Sequence, residues 1–289
     1  LVGIFGVTLA ALFAAFPDAY ATAFSGFYLP FMLLLFCLIF RAVSIEFRSK
    51  YHSKIWRITW DYSFFIASFI ASFLFGIAVG NCMRGIPIGP DKEFAGTLMD
   101  LLNPYSLLVG VLSVTAFAMH ASIYLYLRLP DGDLKEKIHR SIWHTFGCFI
   151  VCYILATIYT LVSVPRAIHN FENHPWLWGI VILNVLAIAN IPRAVFLGRP
   201  GYAFLSSSLT LIAFTALFGA ALFPNLITSN ILPEYSLTIY NSASSEKTLN
   251  IMRIIAFCGM PFVISYTAIN MKFYYKKTLF NRSEERRVG

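Results

Sequence analysis

The chain has 289 residues, of which 58% are hydrophobic, 17% aromatic and only 12% charged, about half the charged fraction of a soluble globular protein. With a mean hydropathy of +0.70, this composition excludes a disordered chain and a water-exposed surface, and it marks a protein whose solvent is mostly lipid. A net charge of +8 in a soluble domain would raise nucleic acid as a partner; here the positive charges lie between apolar runs, so no nucleic-acid partner is expected.

Apolar runs close to the roughly 20 residues that cross a bilayer recur along the chain with polar breaks between them. Eight are expected, near residues 1–16, 21–40, 61–80, 104–127, 142–163, 175–191, 203–223 and 251–271. Lipid offers no partners to backbone N–H and C=O groups, and each run exceeds the roughly 9–11 residues of a barrel strand, so the spans are helices. The expected fold class is all-α: a polytopic membrane helix bundle of about eight transmembrane helices, arranged as two four-helix bundles. Residues 1–281 are read as one integral membrane domain, and 282–289 (RSEERRVG) as a non-native or disordered tail. The chain opens on Leu1 inside an apolar run, which is read as an N-terminal truncation without a signal peptide.

Lys and Arg are enriched in cytoplasmic connections, and 17 of the 22 fall at one set of span ends: loops 41–60, 128–141 and 192–202, and the tail from Lys272. The opposite ends carry only Arg84, Lys92, Arg166, Lys247 and Arg253. The basic ends and the C-terminus are therefore expected in the cytoplasm. The far-side breaks, such as NCMRGIPIGPDKEFAGTLMDLLNP, are rich in Asn, Pro and Gly and read as ordered caps and turns.

Few residues invite chemistry. Cys37, Cys82, Cys148, Cys152 and Cys258 follow no metal or disulfide spacing; Cys148 and Cys152 share a helix face and read as buried packing thiols. His120 lies deep in the fourth run, where a haem ligand, a proton relay and a satisfied interior histidine are the three readings. Arg41 and Glu46 follow the second span as an interfacial anchor with a local ion pair. Asp61 beside Trp60 is either the start of a hydrophilic path or a helix N-cap. Asn81 and Asn103 cap the two ends of one far-side loop, with Pro104 at the first helical position, and the hydroxyls of SSSLT (206–210) bond back to backbone carbonyls. No catalytic, cofactor-binding or metal-binding residue is assigned; Arg41, Glu46, Asp61, Asn81, Asn103 and His120 are candidate conduit or structural positions.

The irregular stretches FAAFPDAYATAFSGFY (13–28), FRAVSIEFRSK (40–50), WDYSFFIASF (60–69), GIAVGNCMRGIPI (76–88), LLNPYSLLVGVLS (101–113), FLSSSLTLIAF (204–214), LFPNL (222–226) and SLTIYNSASSEKTL (236–249) resemble subunit II of the cytochrome bd quinol oxidases, in order and spacing, over about residues 8–280. The resemblance implies a heterodimeric ubiquinol oxidase of aerobic respiratory electron transport in a bacterial inner membrane, which oxidises quinol and reduces oxygen to water. It implies that haems b and d and the quinol site belong to a partner, subunit I. This subunit would then bind no haem and shape access paths for protons and oxygen. A structural quinone and small single-helix accessory subunits accompany some members. Arg41 and Glu46 match the family's basic and acidic pair, and Asn81 matches the Asn of its GN(x)3GxP motif. The family's GFDLG-like helix and the WDGNEVWL-like segment with its membrane acid have no counterpart, and LVGIFGV (1–7) matches the latter poorly. The rival reading is an independent multi-helix transporter, which requires broken helices and a midplane site.

Overall fold

The computed structural model describes residues 12–288, with side chains described for 12–269. It divides into two compact units, one of residues 22–239 and one of residues up to 21 together with those from 240 onward. Helix α1 (Pro17–Gly26) is followed by α2 (Tyr28–Arg48), α3 (Lys54–Arg84), α4 (Pro104–Arg128), α5 (Asp133–Ser163), the short α6 (Arg166–Asn173), α7 (Trp178–Phe196), α8 (Pro200–Leu222) and α9 (Glu246–Val288). Seven of these segments are long and apolar enough to cross a membrane among the described residues. The expected run at 1–16 lies mostly outside the described residues; its residues 12–15 are helical.

The spans are longer than the apolar runs. Loop 41–60 shrinks to a turn at 49–53, and loop 128–141 to residues 129–132. Except for Lys50 and Asp131, their charged residues sit on helix extensions, because nothing breaks the helix where hydrocarbon gives way to headgroups, and long basic side chains are solvated there while their stems pack. At 31 residues each, α3 and α5 are about 46 Å long, the thickness of a bilayer with its headgroups. Between α7 and α8, Gly198 (φ +63°) supplies the left-handed residue that ends α7, with the Arg199 N–H donating to Ala194 O at 2.9 Å.

Within residues 22–239, α4, α5, α7 and α8 form a four-helix bundle. Its core is Ala116, Met119 and Ile123 on α4, Ile142 and Phe149 on α5, Ile188, Ile191 and Val195 on α7, and Ala203 on α8. The α2–α3 hairpin packs through Leu34, Cys37, Ala67 and Ala71, and α3 lies along α4. Beyond the helix ends, β1 (Asn225–Ile227) and β2 (Leu237–Thr238) pair antiparallel. The bridge between Ile86 and Ser229 ties this ribbon to the loop after α3, and Ile86, Ile88 and Leu237 are buried beneath it. In the other unit, the Ser244 N–H donates to Ala15 O at 2.8 Å, and α9 runs through Pro261 without interruption.

One packing expectation is corrected. Cys148 is exposed and Cys152 half-buried, because the face of α5 that carries them points away from the bundle core formed by Ile142 and Phe149.

Candidate functional site

The densest polar cluster lies where α3 ends and α4 begins. Small residues let the two helices touch: a Cβ on Gly76 would stand 2.5 Å from Val109 O, and one on Gly80 2.7 Å from Ser106 Cα, the close approach that membrane helices use in place of hydrophobic association. That approach brings Asn81 to Asn103. The Asn81 Nδ2 group donates to Ile77 O at 2.9 Å and to Leu101 O at 2.8 Å, and its Oδ1 accepts from Asn103 Nδ2 at 2.9 Å. Asn103 is the N-cap of α4, its Oδ1 accepting the Ser106 N–H at 2.9 Å, with Pro104 at the first helical position. The Ser106 hydroxyl closes the cluster by donating to Leu101 O at 2.7 Å. Asn81 is 1% exposed, so every one of these bonds replaces a desolvation penalty.

The preceding turn, Leu98–Leu101, is held by a capping box in which Asp100 accepts from the Thr97 N–H and hydroxyl at 2.7 and 2.9 Å. Those two donors hold the Asp100 carboxyl below its ordinary value. The last carbonyls of α3 are met from three directions. Gly85 (φ +100°) donates its N–H to Asn81 O at 2.8 Å, the Thr228 hydroxyl lies 3.4 Å from Cys82 O, and an Arg166 Nη2 donates to Met83 O. Burial pushes the Arg166 guanidinium down from its usual value, opposed by the nearby Tyr105, whose hydroxyl pairs with Thr160 Oγ1 at 2.9 Å. Nothing in the local sequence marks Tyr105, Thr160 or Arg166 as partners, since they lie on three helices; the one signal was that Arg166 is a rare cation on the far side.

The opposite ends of α2 and α3 are built differently. Asp61 does not cap α3, whose N-cap is Ser53; it lies two turns inside the helix, with its carboxylate on Arg48 at 2.6 and 3.2 Å. The pair is exposed on both sides. The expected Arg41–Glu46 ion pair does not form: five residues apart on a helix, the two side chains diverge by about 140°. Arg41 instead rests its guanidinium over the Phe64 ring at 5.6 Å, while Glu46 is exposed. An aromatic row from Tyr51 through Trp56 and Trp60 to Phe47 lines this end, with the Trp56 indole donating to Phe47 O at 2.8 Å.

Inside the bundle, His120 Nδ1 lies 2.9 Å from Ser207 Oγ, and its ring packs on Phe204 at 5.1 Å. Next to it, Asn190 donates to Ser206 Oγ at 2.8 Å. The hydroxyls of Ser207, Ser208 and Thr210 bond back to carbonyls of their own helix. Among the described residues no three His, Cys, Asp or Glu side chains come together. The structure thus joins Asn81 to Asn103 and Asp61 to Arg48, and leaves Arg41, Glu46 and His120 apart from them.

Long apolar helices and an interior almost free of charge define an integral membrane protein of the multi-pass class. The chain matches the family described as cytochrome bd terminal oxidase subunit II over residues 5–274 and belongs to that family. It is 33% identical over 223 residues to the cytochrome bd-I ubiquinol oxidase subunit 2 of Escherichia coli (strain K12), covering 67% of this chain and 59% of that protein. It is 31% identical over 190 residues to the cytochrome bd ubiquinol oxidase subunit 2 of Bacillus subtilis (strain 168), covering 65% and 55%. The chain therefore spans less than two thirds of the length of these relatives. Its fold is similar to a chain in the structure of bd oxidase from Geobacillus thermodenitrificans, with a TM-score of 0.66 at 17% identity, covering 85% of this chain and 72% of that one. An independent transporter finds no support in these likenesses.

Proposed function

We propose that this chain is the haem-free second subunit of a bd-type terminal oxidase, a scaffold beside a haem-bearing subunit I that oxidises quinol and reduces oxygen to water. The observation that carries the reading is the family match, which runs from residue 5 to residue 274 and so through all seven candidate spans. Haems b and d and the quinol site are assigned to the partner. The geometry here supports that division: His120, the histidine deep in a span, is engaged with Ser207 and covered by Phe204, and beside it Met119 and Ile123 are fully buried in the packed core. These residues do not fit a haem between helices, and no step runs through one in this chain.

The six polar positions then separate by task. Asn81 and Asn103 fix the α3–α4 junction and are structural. Asp61, hydrated and paired with Arg48 at the basic end, stands at the mouth of a proton path, with Arg41 and Glu46 at the same interface and His120 as a satisfied interior group. The excess of Lys and Arg at the α2–α3, α4–α5 and α7–α8 turns supports placing these ends, and the C-terminus, in the cytoplasm of a bacterial inner membrane. A structural quinone and small accessory helices are compatible additions at the level of the complex. Co-expression with the haem-bearing subunit tests the proposal: the two are expected to co-purify with quinol-dependent oxygen uptake, and purification of this chain without a haem-bearing partner would overturn it.

A further inference from the structure

We propose that unit 22–239 holds a phospholipid, with one acyl chain in the apolar cavity between α4, α5 and α8 and its phosphodiester on Arg166. The cavity opens to the surface and measures about 720 Å³, within the roughly 300–1,000 Å³ of ligand sites. It is elongated. Met83, Tyr105 and Ala167 line it at the loop-bearing end, and Ala116, Tyr153 and Leu211 line it half-way down the bundle. Along α4 the lining runs from Tyr105 to Phe117, a rise of about 18 Å, slightly more than half of a hydrocarbon core about 30 Å thick. That is the reach of one leaflet's chain.

The walls carry no charged side chain, and the Tyr105 and Thr160 hydroxyls are paired with each other, so the interior asks for an apolar occupant. The mouth asks for an anion. Arg166 directly precedes the lining residue Ala167 and is half-buried. One of its nitrogens donates to Met83 O, and no carboxylate among the described residues pairs with it. A half-buried guanidinium with donors to spare matches a phosphate in both charge and fork geometry. Free phosphate would leave the apolar walls unmatched, and a phosphate-free isoprenoid would leave the cation unmatched. A phospholipid in the leaflet beside α6 matches both.

The test reads lipid, independently of oxidase turnover, on the protein as purified from membranes with whatever subunits accompany it. Native mass spectrometry after exhaustive detergent washing is expected to find one retained phospholipid on this chain. In titrations, phosphatidylglycerol is expected to bind about tenfold more tightly than a diacylglycerol with the same chains, the worth of a charge-assisted contact. Arg166→Gln is expected to erase that difference and Arg166→Lys to keep part of it. Thr157→Trp places a large ring into the cavity from an exposed position on its lining; it is expected to abolish binding of both lipids, and it keeps the test decisive if Arg166→Gln fails to fold. Equal affinity for the two lipids in the unaltered protein, a retained molecule without phosphate, or unchanged retention in Thr157→Trp would overturn the proposal.

Discussion

The two ends of the α3 helix stabilise themselves by opposite means. At the α3–α4 junction, Asn81, Asn103 and Ser106 are buried and bonded to one another and to backbone carbonyls, so each group depends on its neighbours. At the other end Arg48 and Asp61 meet in the open, and water can replace either partner. The contrast teaches that the first end sets the geometry of the helix pair, while the second is free to change its charge or its partner without cost to the fold. Buried polar networks are high-stakes and exposed ion pairs are not.

Substitutions can break or sharpen that contrast. The largest effect is expected for Gly76→Val, where added carbons meet Val109 O and Gly110 Cα and must force α3 from α4; a loss of about 3 kcal/mol should appear in the thermal unfolding of detergent-solubilised protein. Asn81→Ala is expected to cost about 2 kcal/mol, because it strips Asn103 Nδ2 and Leu101 O of a buried partner. Asn103→Ala should cost about 1 kcal/mol through loss of the α4 cap. Acid should act next and only locally. The Asp100 carboxyl is held below its ordinary value of 3.8, so its contribution is complete above that value and is lost as pH falls through the lowered one. Hydrogen exchange at Leu98–Leu101 should quicken there before the helices respond. Smallest of all, Asp61→Asn should leave the unfolding midpoint unchanged. If it moves the midpoint as far as Asn81→Ala does, the contrast between the two ends fails; if it lowers oxygen uptake while the midpoint stays, the proton-path assignment gains its support.

Much of the fold could be read from the residues one by one. Among the described residues, seven of the expected apolar runs are helices long and apolar enough to span a membrane, because length and lipid leave the backbone no alternative, and Asn103-Pro104 marks the start of α4 through cap chemistry that is local. What could not be read was pairing across helices. Arg48 and Asp61 are 13 residues apart on either side of a turn, and charge near a span end does not distinguish a loop from a helix that continues into the headgroups, so the short turn at 49–53 is hidden inside the charged stretch 41–60. The expectation that Asn81 caps a helix end is corrected: Asn81 lies inside the last turn of α3, whose C-cap is Gly85, and its partner, 22 residues on, depends on how closely Gly76 and Gly80 let α4 approach. Arg166 reaches Met83 over 83 positions, a contact that only the assembled bundle specifies. Arg41 and Glu46 do not pair for a simpler reason: they are close in sequence but out of phase on the helix.

As proposed, this subunit shapes the complex and leaves the redox groups to its partner. Absorbance spectroscopy tests it most directly, on this chain purified alone and again with the haem-bearing subunit, each scaled to protein. No haem absorbance is expected from the chain alone and a full set from the pair, unchanged by His120→Ala. Stoichiometric haem on the isolated chain, or loss of a haem band in the His120→Ala complex, would contradict it.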